Sequence, residues 1–185
     1  MARSIRSPKP VNIDDGRIRC KWAASDAMLA AYHDHEWGAP ITTDAGHLER
    51  MVLEIFQCGL SWKIVLVKRP ALNAAFGGFD PKRVAALTAR DVDRLCNDAS
   101  IIRNRAKIEA TIHNARRVVA LAGGHRSYRR WFDGLPIQTA RDLPAAVKLF
   151  RGEGFRFLGP ETVKCYLMGC GKIAPEHEKA CFQAT

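Results

Sequence analysis

The sequence predicts an all-α protein, and three observations carry that expectation. Apolar residues recur at helical spacing, as Leu48, Met51, Val52, Ile55 and Phe56 do within residues 44–58. Helix-start signals punctuate the chain, including Thr-Ala-Arg-Asp at 88–91 and again at 139–142. No segment sustains the alternation of a half-buried strand.

In chain order, residues 1–18 read as a flexible basic tail with Pro8 and Pro10 and no periodicity. Residues 19–185 read as one domain. The helix over 44–58 stops at Gly59, and Gly59-Leu60-Ser61-Trp62 introduces a shorter helix through Lys68. Asp80-Pro81 is an N-cap followed by proline in the first helical position. A long helix follows at about 103–122. Ile108, Ile112, Ala115, Val118 and Val119 face inward, and Arg103, Lys107, Arg116 and Arg117 outward. Gly123-Gly124 is its expected end. Over about 143–171, the order is helix, tight turn, helix. The turn is Phe157-Leu158-Gly159-Pro160, with Thr162 early in the second helix.

Composition bounds the function. At 185 residues, 47% hydrophobic and 26% charged, the chain can bury a sizeable core. No apolar run approaches a bilayer span and no signal peptide opens the chain, so a cytoplasmic location, no membrane and a monomer are expected. The net charge of +10 suits either a polyanionic partner or simple solubility. Of six cysteines, Cys58, Cys96, Cys165 and Cys170 sit among apolar residues and read as small buried hydrophobes.

Cys20 and Cys181 lie in polar stretches instead. Cys20 pairs in spacing with His33, and His177 with Cys181 through three intervening residues. Together they can form a closed Cys2His2 zinc site joining the two ends, with His-x3-Cys on one side of a helical turn. Chance spacing is the competing account. A zinc nucleobase deaminase is excluded, because the P-C-x-x-C that supplies two of its metal ligands is missing.

The hairpin resembles the helix-hairpin-helix element of DNA repair glycosylases, where Gly159, Thr162 and free helix N–H groups would meet a DNA phosphate. Plain helix packing gives the same pattern. Glu161 stands where bifunctional members carry a lysine nucleophile, and no aspartate follows Asp142, so no lyase activity is expected.

Several motifs in fixed order resemble the DNA-3-methyladenine glycosylase I family: R-C-x-W at 19–22, A-Y-H-D-x-E-W-G at 31–38, L-E at 53–54, Q-x-G-L-S-W at 57–62, and D-x-x-I-I-R-x-R-x-K-I at 98–108. G-F-x-F-x-G-P-x-T-V at 154–163 and the final H-x3-C continue the series. The resemblance implies a helix-hairpin-helix glycosylase that removes 3-methyladenine from alkylated double-stranded DNA by base flipping. It also implies a structural zinc on Cys20, His33, His177 and Cys181, with His35 left on the surface. Glu54 would contact the flipped cationic base, Tyr32 and Trp62 would line its pocket, and Leu60 would either fill the vacated space or pack as a buried leucine. Trp22 and Trp37 suit the pocket or the core equally. Glu54 paired with Arg50 is the competing account of the carboxylate.

Leu29, Ile55 and Lys164 depart from the family pattern, and the segment before His177 is one residue longer. A rival therefore stands: a zinc-containing paralogue that binds damaged DNA without efficient base release.

Overall fold

The computed structural model describes residues 12–184; the first eleven positions of the expected tail lie outside them. Among the described residues there are nine α-helices and no strand. They are α1 (Ala27–His35), α2 (Asp44–Gln57), α3 (Trp62–Ala75), α4 (Pro81–Ala85), α5 (Ala89–Asn97), α6 (Arg105–His125), α7 (Tyr128–Asp133), α8 (Leu143–Gly152) and α9 (Pro160–Gly169).

Helix α2 is the central element. Thr43 caps it, its side chain accepting from Gly46 N, and every residue from Gly46 to Phe56 is buried. It packs against α3, α6 and α9, while α6 also carries α4, α5 and α7, and α8 pairs with α9. The core fills from Leu48, Met51, Phe56, Phe76, Phe79, Ile108, Val118, Phe132, Phe150 and Leu167. No helix among the described residues is long and apolar enough to cross a membrane.

The punctuation works at most of its expected places. Asp80 caps α4, and Thr88 forms a reciprocal capping box with Asp91. The second Thr-Ala-Arg-Asp makes the same box, but on a single 3-10 turn at Ala140–Asp142 that leads into α8.

Four expectations are corrected. Helix α3 runs past Lys68 to Ala75 with Pro70 inside it. Gly123 and Gly124 do not end α6, which continues to His125 and turns at left-handed Arg126. Lys107 points inward and is 7% exposed. Its ammonium donates to Phe56 O at 2.9 Å and Cys58 O at 2.6 Å, satisfying the free carbonyls at the end of α2. Of the four supposedly core cysteines only Cys170 is buried; Cys58 is exposed, and Cys96 and Cys165 are half-buried.

The base of the expected tail is tied down. Arg19 binds Asp15 and Asp34, and Ile18 O accepts from Phe182 N at 2.8 Å. The two ends of the described chain therefore run side by side.

Candidate active site

The two ends bring four ligand-type side chains together. Cys20 precedes the turn before α1, His33 lies on α1, and His177 and Cys181 lie in the segment after α9. One donor atom from each lies within 4.8 Å of all the others. Cys20 Sγ stands 3.6 Å from His177 Nδ1, and Cys181 Sγ stands 3.5 Å from both His33 Nε2 and His177 Nδ1. With metal–sulfur and metal–nitrogen bonds of roughly 2.3 and 2.0 Å, a tetrahedron has edges of about 3.5 Å, so the donor set fits a zinc-sized ion.

The expected helical turn between His177 and Cys181 is not formed; a turn from Glu178 O to Cys181 N at 2.8 Å places both side chains. Behind His33, Asp34 Oδ1 sits 2.8 Å from Nδ1, which leaves Nε2 for the cluster. Asp34 is itself held by Arg19. Neither Asp34 nor Arg19 was singled out by sequence reasoning, although the His-Asp adjacency was the available signal. His35 is exposed, as expected.

An aromatic wall leads from this cluster toward α2. Trp37 lies 4.8 Å from the His177 ring and 5.8 Å from His33. Trp22 lies 5.4 Å from His33, 5.3 Å from Trp37 and 6.2 Å from Tyr32. Both tryptophans are thus half-buried wall residues shared by the two sites.

Tyr32 and Trp62 come together, but not as two sides of an open slot. Their rings stack with centroids 5.0 Å apart. A flat base held between them needs about 7 Å, two van der Waals contacts of about 3.5 Å each. The pair as it stands leaves no gap for a third ring, and Arg50 lies over Tyr32 as well. Leu29 packs in the same cluster, whereas Ile55 is buried in the main core.

Glu54, one turn after Arg50 on α2, is 3% exposed. Burial pushes its carboxyl up to about 7, and the nearby Arg50 cation opposes the rise only in part. Its carboxylate is not hydrogen-bonded to a protein group among the described residues, so the Arg50 alternative does not account for it. Gly169 of α9 faces it: a Cβ there would stand 3.3 Å from Glu54 Oε1. Arg50 lies over the Tyr32 ring at 4.8 Å, and the Tyr32 hydroxyl is buried without a partner.

Arg50 also lies 3.7 Å from Glu36, while Arg69 binds Glu36 at 2.8 Å and Glu49 at 2.9 Å. A separate cleft of about 890 Å³ runs along the Gly46, Glu49, Arg50 and Leu53 face of α2; Glu54, Tyr32 and Trp62 do not line it.

The turn after α2 lies next to the hairpin. Leu60 is half-buried there, after left-handed Gly59, and Cys58 Sγ is 3.5 Å from Thr162 Oγ1. Gly159 caps α9 with no side-chain bond to its first N–H groups, and no atom stands within 4 Å of where its Cβ would be. Sequence reasoning missed Asn114 of α6, which holds the hairpin by accepting from Arg156 N at 2.8 Å and donating to Arg156 O at 2.9 Å. A polar residue on the inward stripe of α6 was the signal. Lys164 pairs with Glu176 at 2.6 Å.

An all-α scaffold with a buried, unbonded carboxylate on α2 and an open helix N-terminus at the hairpin suits an enzyme that acts on DNA bases. The chain belongs to the methyladenine glycosylase family, whose model matches residues 22–184. It is 35% identical over 179 residues to DNA-3-methyladenine glycosylase 1 of Escherichia coli (strain K12), covering 88% of this chain and 95% of that protein. A crystal structure of 3-methyladenine DNA glycosylase I superposes with a TM-score of 0.81 at 35% identity, covering 91% of this chain and all of the other. The Staphylococcus aureus 3-methyladenine DNA glycosylase I, solved for its recognition of 3-methyladenine, gives 0.78 at 29% identity, covering 89% of this chain and 95% of that one.

Proposed function

We propose that this chain is a monofunctional DNA glycosylase that acts, as a cytoplasmic monomer, on alkylated double-stranded DNA and releases 3-methyladenine by flipping the nucleotide and hydrolysing its glycosidic bond. The observation that carries this reading is Glu54: a buried carboxylate without a hydrogen bond, next to an arginine that lies over the ring of Tyr32, itself stacked on Trp62. Buried carboxylates are costly unless something pairs with them, and a flat cation meets that need.

The chemistry asks little of the protein. Alkylation at N3 turns adenine into a cationic leaving group, so the bond is already weak. Glu54 holds the positive ring, Tyr32 and Trp62 offer it a π face, and Trp22 and Trp37 back that face. Leu60 occupies the space the base leaves, while Gly159 and Thr162 seat the hairpin on the backbone. Water then captures the sugar. Zinc is assigned to Cys20, His33, His177 and Cys181 as a structural ion; a closed set of four protein ligands holds shape and supplies no chemistry.

The rival, a DNA-binding paralogue without efficient release, has no observation of its own in favour. Methylated duplex DNA incubated with the protein, with released bases separated chromatographically, decides between them. We expect free 3-methyladenine, no strand cleavage, and roughly a hundred-fold loss in Glu54→Gln. Binding without release would establish the rival.

A further inference from the structure

Arg50, one turn before Glu54, carries hydrogen-bonding capacity that the fold leaves unused. It is 5% exposed. Its Nη2 lies 3.7 Å from Glu36 Oε2, too far for a hydrogen bond, and its Nε and Nη1 are buried without any partner. The guanidinium is nevertheless fixed, because it lies 4.8 Å over the Tyr32 ring. A Cβ on Gly169 would stand 3.1 Å from Arg50 Cδ, 3.3 Å from Glu54 Oε1 and 3.7 Å from Arg50 Nε. A donor and an acceptor thus lie side by side, packed against the bare backbone of α9. Buried donors without partners are rare in folded proteins, and a functional site is one standard reason for them.

Adenine offers the complement of that pair. Its exocyclic amine donates, and a ring nitrogen on either side of the amine accepts. Resting on the base-release reading, we propose that Arg50 is a second base-recognition residue, donating an N–H to an acceptor ring nitrogen of the extruded purine while Glu54 accepts from its amine. The site then reads the hydrogen-bonding edge of the base as well as its charge. Purines lacking that acceptor are discriminated against even when they carry the same positive charge.

The test pairs two substitutions with two ligand changes. Free 3-methyladenine and its 1-deaza and 7-deaza analogues are titrated calorimetrically into the full chain, as wild type, Arg50→Met and Arg50→Leu; both replacements remove every donor. Thermal melts check that each variant folds. The wild type is expected to bind one of the two deaza analogues about ten- to a hundred-fold more weakly than the parent. In both variants that penalty should shrink to about three-fold or less, with weaker binding of the parent. The assignment is overturned if wild type binds all three alike, binds none, or if the variants keep the full penalty. The guanidinium would then serve packing, or water in the neighbouring cleft. Base release from DNA is scored separately: release without a deaza penalty sinks the role of Arg50 alone, whereas no release sinks the glycosylase reading.

Discussion

On the proposed reading Glu54 is the residue on which the chemistry turns, and its environment fixes a pH signature. Its carboxyl is raised from 4.5 to about 7 by burial, so the free enzyme is half ionised near neutrality. Only the carboxylate balances a cationic base. kcat/KM for release should therefore climb through about pH 7 and level above it, and the profile of Glu54→Gln should be flat. The sign for stability is opposite. The folded protein binds this proton more tightly than the unfolded chain, so stability is lost as pH rises from about 4.5 to 7. Paired melting scans should show Glu54→Gln gaining on wild type by roughly 3 kcal/mol between pH 5 and 8. An unchanged gap would mean that the carboxylate is already compensated. The identity of Glu54 was legible in L-E at 53–54, but its isolation was not. That depends on Gly169, 115 positions away in sequence and in contact only after folding.

At the scale of elements, α2 carries Glu54 while α6 holds the structures around it. Lys107 closes the end of α2 and Asn114 fixes the hairpin turn. Lys107→Met should leave two carbonyls short of a donor. A loss of roughly 1–3 kcal/mol in chemical denaturation is expected, together with slower base release as the turn bearing Leu60 loosens. Wild-type release rates in a destabilised variant would separate the turn from the site. Periodicity and caps placed α2, α4 and α5 well, because those signals are local. The end of α6 is not marked locally, because two glycines can remain helical when the packing continues past them. Lys107 reads as exposed because a long side chain on the inward stripe is indistinguishable, in sequence, from one that escapes to solvent.

For the whole molecule, charge and closure make separate predictions. A chain of net charge +10 that binds duplex DNA through phosphates should lose affinity steeply with added salt, and a flat response would remove DNA as the partner. If the four-ligand cluster holds zinc, elemental analysis should find one ion per chain. Cys181→Ser should lower the melting temperature by roughly 10 °C. Metal-free protein with an unaltered melt would dismiss the ion. The four ligands could be picked out as two short spacings, but their meeting could not, since 143 intervening residues carry no distance information.

Trp22 touches both His33 and Tyr32, while Trp37 touches His33 and His177. The rings proposed to meet the base are thus braced by the knot that fastens the two extremities. Nicking the last dozen positions would strip no group from the chemistry, yet it would slacken the panel behind it. Such a clipped protein should still fold around α2 and still cling to DNA, while losing its grip on the extruded base.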